Sequence, residues 1–295
     1  MIPRRWLLPA AFGAAAGLVA ARARGAEGGP ARIVSVGGAV TEIAFALGAG
    51  PRLVAVDSTS RFPAAARGLP QIGYLRALAP EGLISLRPDL LLLSDEAGPP
   101  QALAVLRAAG QPMTVVPDDP GAAGIAPKIA GVAAALGLDG AALMEAVDAD
   151  WRVFDAPVAA LRPVRAVFVL SAARGAPLVS GGGTHADAML RAAGAANVVT
   201  AFTGYRPLSA EAAATLAPEA VVMMEHALAE AGGVEAVLRM PALAVTPAAA
   251  TRRLVAIEGS YMLNFGPRAA HARRDLTRLL HPRAALPDLP ARPWT

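Results

Sequence analysis

A pattern that occurs twice restricts the folds open to this chain more than any other feature. Gly73-Tyr74-Leu75-Arg76-Ala77-Leu78-Ala79-Pro80-Glu81 is followed by Leu86, Pro88 and Asp89. Gly204-Tyr205-Arg206-Pro207-Leu208-Ser209-Ala210-Glu211 is followed by Leu216, Pro218 and Glu219. At one constant offset Arg76 matches Arg206, Leu78 matches Leu208, Glu81 matches Glu211 and Pro88 matches Pro218. A looser echo links Val36-Gly37-Gly38 and Leu47-Gly48 to Gly182-Gly183 and Ala193-Gly194. The 295 residues are enough for two lobes, each with its own core. With 55% apolar residues and a mean hydropathy of +0.45, the chain has the material to fill both.

Within each half, short apolar runs alternate with alanine-rich helical stretches, which argues for α/β lobes with parallel-type sheets. Strands are expected at 33–36, 53–56, 90–93 and 114–116, and then at 166–170, 198–200, 220–224 and 254–257. Helices are expected at 40–47, 80–86, 101–109 and 122–136, with a closing helix at 267–280. Between the halves, Leu143, Val147, Trp151, Phe154 and Val158 recur every three or four residues. That spacing marks one apolar face of a helix of about six turns, with a kink or break expected at Pro157. The expected organisation is therefore an N-terminal lobe over 32–138, a long linking helix over 139–162 and a C-terminal lobe over 163–295. A ligand would sit in the cleft, where the carboxyl ends of the strands face one another.

Residues 1–23 read as a secretory signal peptide. Arg4-Arg5 precede the fifteen uncharged residues Trp6–Ala20, and Ala21-Arg22-Ala23 fits a small-x-small cleavage site. The run is short for a membrane span. The arginine pair before Leu7-Leu8 also resembles a twin-arginine signal, so the export route stays open. Removing this segment lowers Lys+Arg from 27 to 24 against 23 Asp+Glu, and no basic run remains that would track phosphates. Nucleic acid is not an expected partner. The absence of cysteine excludes disulfides, thiolate zinc sites, iron–sulfur clusters and covalent haem attachment.

The residues around the repeated motif are the most specific in the chain. They are Ile72-Gly73-Tyr74-Leu75-Arg76-Ala77-Leu78, Glu81-Gly82, and Ser85-Leu86-Arg87-Pro88-Asp89. Gly204-Tyr205-Arg206-Pro207-Leu208-Ser209, Glu258-Gly259-Ser260-Tyr261 and Phe265-Gly266-Pro267-Arg268 belong with them. Through these stretches the chain resembles the periplasmic haem-binding proteins of bacterial haem-uptake ABC transporters. They sit in a superfamily with vitamin B12- and ferric-siderophore-binding proteins. The resemblance implies a non-enzymatic periplasmic protein that captures haem and delivers it to an inner-membrane ABC permease with its ATPase. An outer-membrane haem receptor system would act upstream of it. It also implies that Tyr74, in the Gly-Tyr-x-Arg position, is the axial ligand of haem iron.

The chemistry of the residues agrees with that implication. A phenolate is a hard oxygen ligand suited to ferric iron. Arg76, two positions on, offers a cation to the phenolate or to a haem propionate, and Arg206 offers one from the other lobe. Tyr205 repeats Tyr74. Of the four histidines, none shows HxH or HExxH spacing. His185 follows the glycine run Ser180–Thr184 at a helix start. It reads either as a second axial ligand, or the ligand of a second stacked haem, or as a solvent-facing first-turn residue. His226 follows a strand and is expected to border the cleft. Gly37-Gly38 and Gly181–Gly183 lack a Walker lysine, Lys128 being the only lysine, and read as tight strand-to-helix connections. Glu81 and Glu211 each open a helix, where an acid is locally favourable. In the family the matching glutamates pair with arginines on the permease. Cobalamin or a ferric siderophore is the alternative ligand, and a chelatase-type metal-handling enzyme is the alternative of another class.

Overall fold

A computed structural model describes residues 29–173 and 175–295. The expected signal peptide, residues 1–23, lies outside the described residues. The first lobe runs through β1 (Ile33–Val36), α1 (Gly38–Ala46), β2 (Leu53–Val56), α2 (Pro80–Ser85), β3 (Leu90–Ser94), α3 (Pro100–Ala108) and β4 (Met113–Val116). Its four strands are parallel, in the order β2-β1-β3-β4. β1 and β3 are buried along their whole length because helices cover both faces of the sheet. Strand alternation divides their side chains between two cores. Ile33, Leu90 and Leu92 face one that includes Val40 and Val132, while Val34, Leu91 and Leu93 face Leu83 of α2 and Leu106 of α3.

The linking segment is helical but interrupted. After α4 (Ile125–Leu136) come α5 (Ala141–Arg152) and α6 (Asp155–Ala159). The helix expected over 139–162, with a kink or break at Pro157, is interrupted at Val153–Phe154, slightly ahead of that proline. Pro157 explains the place of the break. It has no N–H to donate to the Val153 carbonyl, so it cannot continue α5, but it is accepted in the first turn of α6, whose N–H groups have no helical partner. Arg273 takes up an acceptor at the break, donating Nη1 to the Trp151 carbonyl at 2.8 Å.

The second lobe contains β5 (Val164–Ser171), β6 (Leu178–Ser180), α7 (His185–Ala192), β7 (Ala195–Asn197), β8 (Tyr205–Pro207), α8 (Ala210–Leu216) and β9 (Ala220–Met224). It continues with α9 (Glu225–Glu230), α10 (Val234–Leu238), α11 (Pro241–Ala244), α12 (Pro247–Ala250), β10 (Leu254–Ile257), α13 (Gly259–Leu263) and α14 (Ala269–Leu280). The sheet order is β10-β9-β5-β6-β8, with β7 paired to the start of β5. β6 is antiparallel to both β5 and β8, so this sheet is mixed. The strand expected at 198–200 lies three residues earlier. Val198 and Val199 are instead buried in the core, and the Asn197 side-chain oxygen accepts from the Val199 N–H at 3.1 Å, turning the chain off the edge of β5.

Candidate ligand-binding cleft

A cleft of about 660 Å³ opens where the carboxyl ends of the two sets of strands meet. That size is typical of small-molecule sites, and the position follows the rule for open α/β sheets. From the first lobe come the turns after β1, β2 and β4 and the end of β3, together with Tyr74 and Arg76. From the second come Gly183–His185, Tyr205, Met224, His226 and the start of α13.

The β1–α1 turn is held tightly. Gly37 adopts φ 110°, and its N–H donates to the buried Asp57 carboxylate at 2.8 Å. Asp57 also accepts from the Ser60 hydroxyl at 2.7 Å and the Thr59 hydroxyl at 2.6 Å. A Cβ on Gly38 would lie 2.8 Å from the Thr59 carbonyl oxygen, so only glycine fits this turn. The glycine pair thus serves close packing at the cleft floor.

Tyr74 follows Gly73, whose φ of 91° turns the chain, and it is 44% exposed. Arg76 spans two partners with one guanidinium. Its Nη1 donates to the Tyr74 hydroxyl oxygen at 2.6 Å, and its Nη2 pairs with Glu96 at 2.6 Å. The phenol oxygen is thereby held as an acceptor at the cleft wall. Tyr205 lines the opposite lobe from β8. Burial pushes its phenol above the ordinary tyrosine range, against the opposing hydrogen bond to Thr184. Arg206 does not join it among the cleft-lining residues. Neighbouring strand residues point to opposite faces, and the exposed Arg206 guanidinium lies 5.1 Å from the Phe202 ring centroid. The cross-cleft cation expected at Arg206 is therefore absent from the cleft lining in this structure.

His185 is fixed as the first residue of α7. The Thr184 hydroxyl caps the helix by accepting from the Asp187 N–H at 3.0 Å. The imidazole is mostly buried, and its Nε2 lies 3.0 Å from Asp118 Oδ1, beyond the end of β4 in the other lobe. Asp118 also pairs with Lys128 and accepts from the Ser94 hydroxyl at 3.3 Å. Burial alone would raise the Asp118 carboxyl. The His185 hydrogen bond and the Lys128 charge outweigh it and hold the group at about 2. Lys128 is 1% exposed and donates to the Asn264 carbonyl at 2.8 Å. Asn264 in turn donates to Glu42 at 3.2 Å, and Glu42 receives both Nε and Nη2 of Arg268, at 3.1 and 2.6 Å. One polar network therefore crosses between the lobes at the cleft floor. His226 borders the cleft and is exposed.

Glu81 and Glu211 lie outside the cleft lining, exposed in the first turns of α2 and α8. The backbone N–H of Glu211 and the Ser209 hydroxyl hold the Glu211 carboxyl below the ordinary range. Sequence reading missed Asp118, Glu96 and the role of Lys128. One signal for Lys128 was present. It stands among Ile125, Ile129, Val132 and Leu136 on the buried face of α4, where a charge requires a partner.

Two α/β lobes, a helical connection and a cleft at the strand ends are the architecture of a two-lobed binding protein. Residues 33–261 match the family of periplasmic binding proteins, and the chain belongs to that family. Its fold is similar to that of the periplasmic heme-binding protein BhuT in complex with two hemes, with a TM-score of 0.82 and 43% identity, over 88% of this chain and 100% of that one. It is also similar to the apo form of the heme-binding protein RhuT from Roseiflexus sp. RS-1, with a TM-score of 0.83 and 36% identity, over 87% of this chain and 100% of that one. The vitamin B12-binding protein of Vibrio cholerae is 38% identical over 79 residues, which is 27% of this chain and 29% of that protein. Among the described residues no helix is long and apolar enough to cross a membrane.

Proposed function

We propose that this protein captures haem in the periplasm and hands it to an ABC importer made of an inner-membrane permease and its ATPase. The observation that carries the reading is the Tyr74–Arg76 pair. An accessible phenol oxygen stands in a cleft of ligand size with a guanidinium already on it at 2.6 Å. Coordination to ferric iron uses the phenolate, and a cation beside it stabilises that charge. The likeness to heme-binding proteins over most of both chains supports haem as the ligand.

In this reading Tyr74 is the axial ligand, and Arg76 steadies its oxygen or meets a propionate. Tyr205 and His226 form the facing wall, and His185 ligates iron from the second lobe. Arg206 contributes only if it leaves Phe202. Glu81 and Glu211 dock the permease from outside the cleft, and the signal peptide at 1–23 directs export. Haem reaches the periplasm through an outer-membrane receptor system. The partial match to vitamin B12-binding proteins favours cobalamin as a second reading.

Absorption titration of the purified protein with hemin tests both readings. Binding is expected to shift the Soret band and produce a tyrosinate charge-transfer band. Tyr74→Phe keeps the ring and removes the oxygen, so that band should vanish and affinity should fall at least tenfold. An unchanged spectrum in the phenylalanine variant overturns the ligand assignment. Cyanocobalamin binding that is indifferent to Tyr74→Phe would favour the second reading.

A further inference from the structure

We propose that Asp118, backed by Lys128, sets how many haems the cleft takes by occupying the iron-binding nitrogen of His185. The inference rests on the haem reading above and on His185 as a ligand. A carboxylate only accepts hydrogen bonds, so the His185 nitrogen at 3.0 Å from Asp118 carries the hydrogen. A ring nitrogen in that form has no lone pair to give to iron. The nitrogen concerned is Nε2, the one remote from the backbone. Nδ1 adjoins the Cβ, and a porphyrin plane approaching it meets the histidine's own main chain. Coordination through Nε2 therefore requires His185 to leave Asp118.

Asp118 is not free to follow it. Its other partner, Lys128, is almost fully buried and is tied to the Asn264 carbonyl at 2.8 Å. Ser94 holds the second carboxylate oxygen at 3.3 Å. The His185–Asp118 bond also joins the two lobes, since Asp118 follows β4 and His185 opens α7. A first haem on the exposed Tyr74 can leave this bond intact, whereas a second haem on His185 has to break it. The two iron sites are thus unequal by construction. One ligand is exposed and partnered only by a guanidinium, and the other is held by a charged acceptor.

The test is a hemin titration with iron quantification on the mature protein, comparing wild type with Asp118→Asn/Lys128→Met. The double variant removes the acid without leaving a buried, unpaired ammonium. Asp118→Asn alone serves as a second reading of the same effect, and a circular-dichroism melt identifies any variant that fails to fold. In the wild type the second equivalent is expected to bind more weakly than the first or not at all. In the double variant the second step should tighten by about tenfold or more. A hydrogen bond to a charged group contributes at least that factor, each 1.4 kcal/mol being tenfold. Adding His185→Ala to the double variant should erase the gain.

A second step that is unchanged or weakened overturns the proposal. Weakening would mean that Asp118 orients His185 as a ligand. A gain that survives His185→Ala overturns it as well. These outcomes are distinct from failure of the haem reading, which appears as a first step indifferent to Tyr74→Phe.

Discussion

Arg273 anchors the break in the linking segment, and replacing it with methionine tests that role. Its side chain, 6% exposed, donates Nε to the Ala192 carbonyl at 2.7 Å and Nη1 to the Trp151 carbonyl at 2.8 Å. Nη1 also reaches Asp155 at 2.7 Å, and the guanidinium lies 4.7 Å from the Trp151 ring centroid. Ala192 ends α7, whose first residue is His185, so one side chain ties the linker to the helix that presents a candidate ligand. Asp155 is 60% exposed, and an ion pair so open to solvent contributes at most about 1 kcal/mol. Hydrogen bonds involving a charged partner contribute about 1.5–3 kcal/mol each. Methionine keeps part of the packing and removes the charge, so Arg273→Met should cost about 3 kcal/mol, most of it from the two charged hydrogen bonds lost at the Ala192 and Trp151 carbonyls. Asp155→Ala should cost about 1 kcal/mol or less. Urea denaturation reads both, with the slope m unchanged. If Asp155→Ala costs as much as Arg273→Met, the ion pair is the anchor and the carbonyl argument is wrong.

Burial, reinforced by Arg274, lowers the pKa of His271, so its imidazole takes up a proton less readily in the folded chain than when unfolded. The stability it contributes is present above the unfolded value near 6.5 and is lost as pH falls below it toward the folded value. His271→Leu should flatten the change in urea midpoint between pH 7.5 and 5.5, and an equal slope in both proteins would refute this. Replacing Glu81 and Glu211 together by alanine should leave hemin affinity and spectrum intact while lowering transport in reconstituted vesicles, most strongly at low salt; unchanged transport removes the docking role. Hemin should change the radius of gyration only slightly in X-ray scattering, because Lys128–Asn264 and Glu42–Arg268 already bridge the lobes; a hinge-scale closure would contradict that.

What the sequence revealed follows from how local each determinant is. β2 and β9 are continuous apolar runs and β1 and β3 depart from that by only one serine each, and such runs signal themselves without help from the rest of the chain. β6 and β8 do not. Each has three residues, β8 carries Pro207, and both are defined by their pairing, β6 with β5 and β8, and β8 with β6. Proline is tolerated in β8 because it lies at the sheet edge. Tyr74 was readable because its motif is contiguous and its turn is set by Gly73. Asp118, Lys128 and His185 come from a loop and two helices, and only the assembled lobes bring them together. The match of Arg206 to Arg76 likewise carries no information on the strand that holds Arg206 beside Phe202 and outside the cleft lining.

The two copies of the repeated motif have diverged through one residue of spacing. In the first, the arginine stands two positions after the tyrosine, in a loop that Gly73 frees from any ladder, and the Arg76 guanidinium folds back onto the Tyr74 oxygen. In the second, Arg206 directly follows Tyr205, and both lie in β8, registered against β6 through Ser180–Tyr205 and Val179–Arg206. Consecutive strand residues face opposite sides, so Arg206 is directed away from the face that Tyr205 gives to the cleft. Tyr205 is left half-buried, with a phenol that resists ionisation, and Arg206 stacks near Phe202. An arginine-supported phenol is therefore built once among the described residues, in the first lobe. On the haem reading, iron should enter by way of Tyr74, with the second lobe contributing walls and the guarded imidazole of His185. The one-residue difference in spacing explains why the cleft faces of the two lobes carry different chemistry at the matched tyrosines.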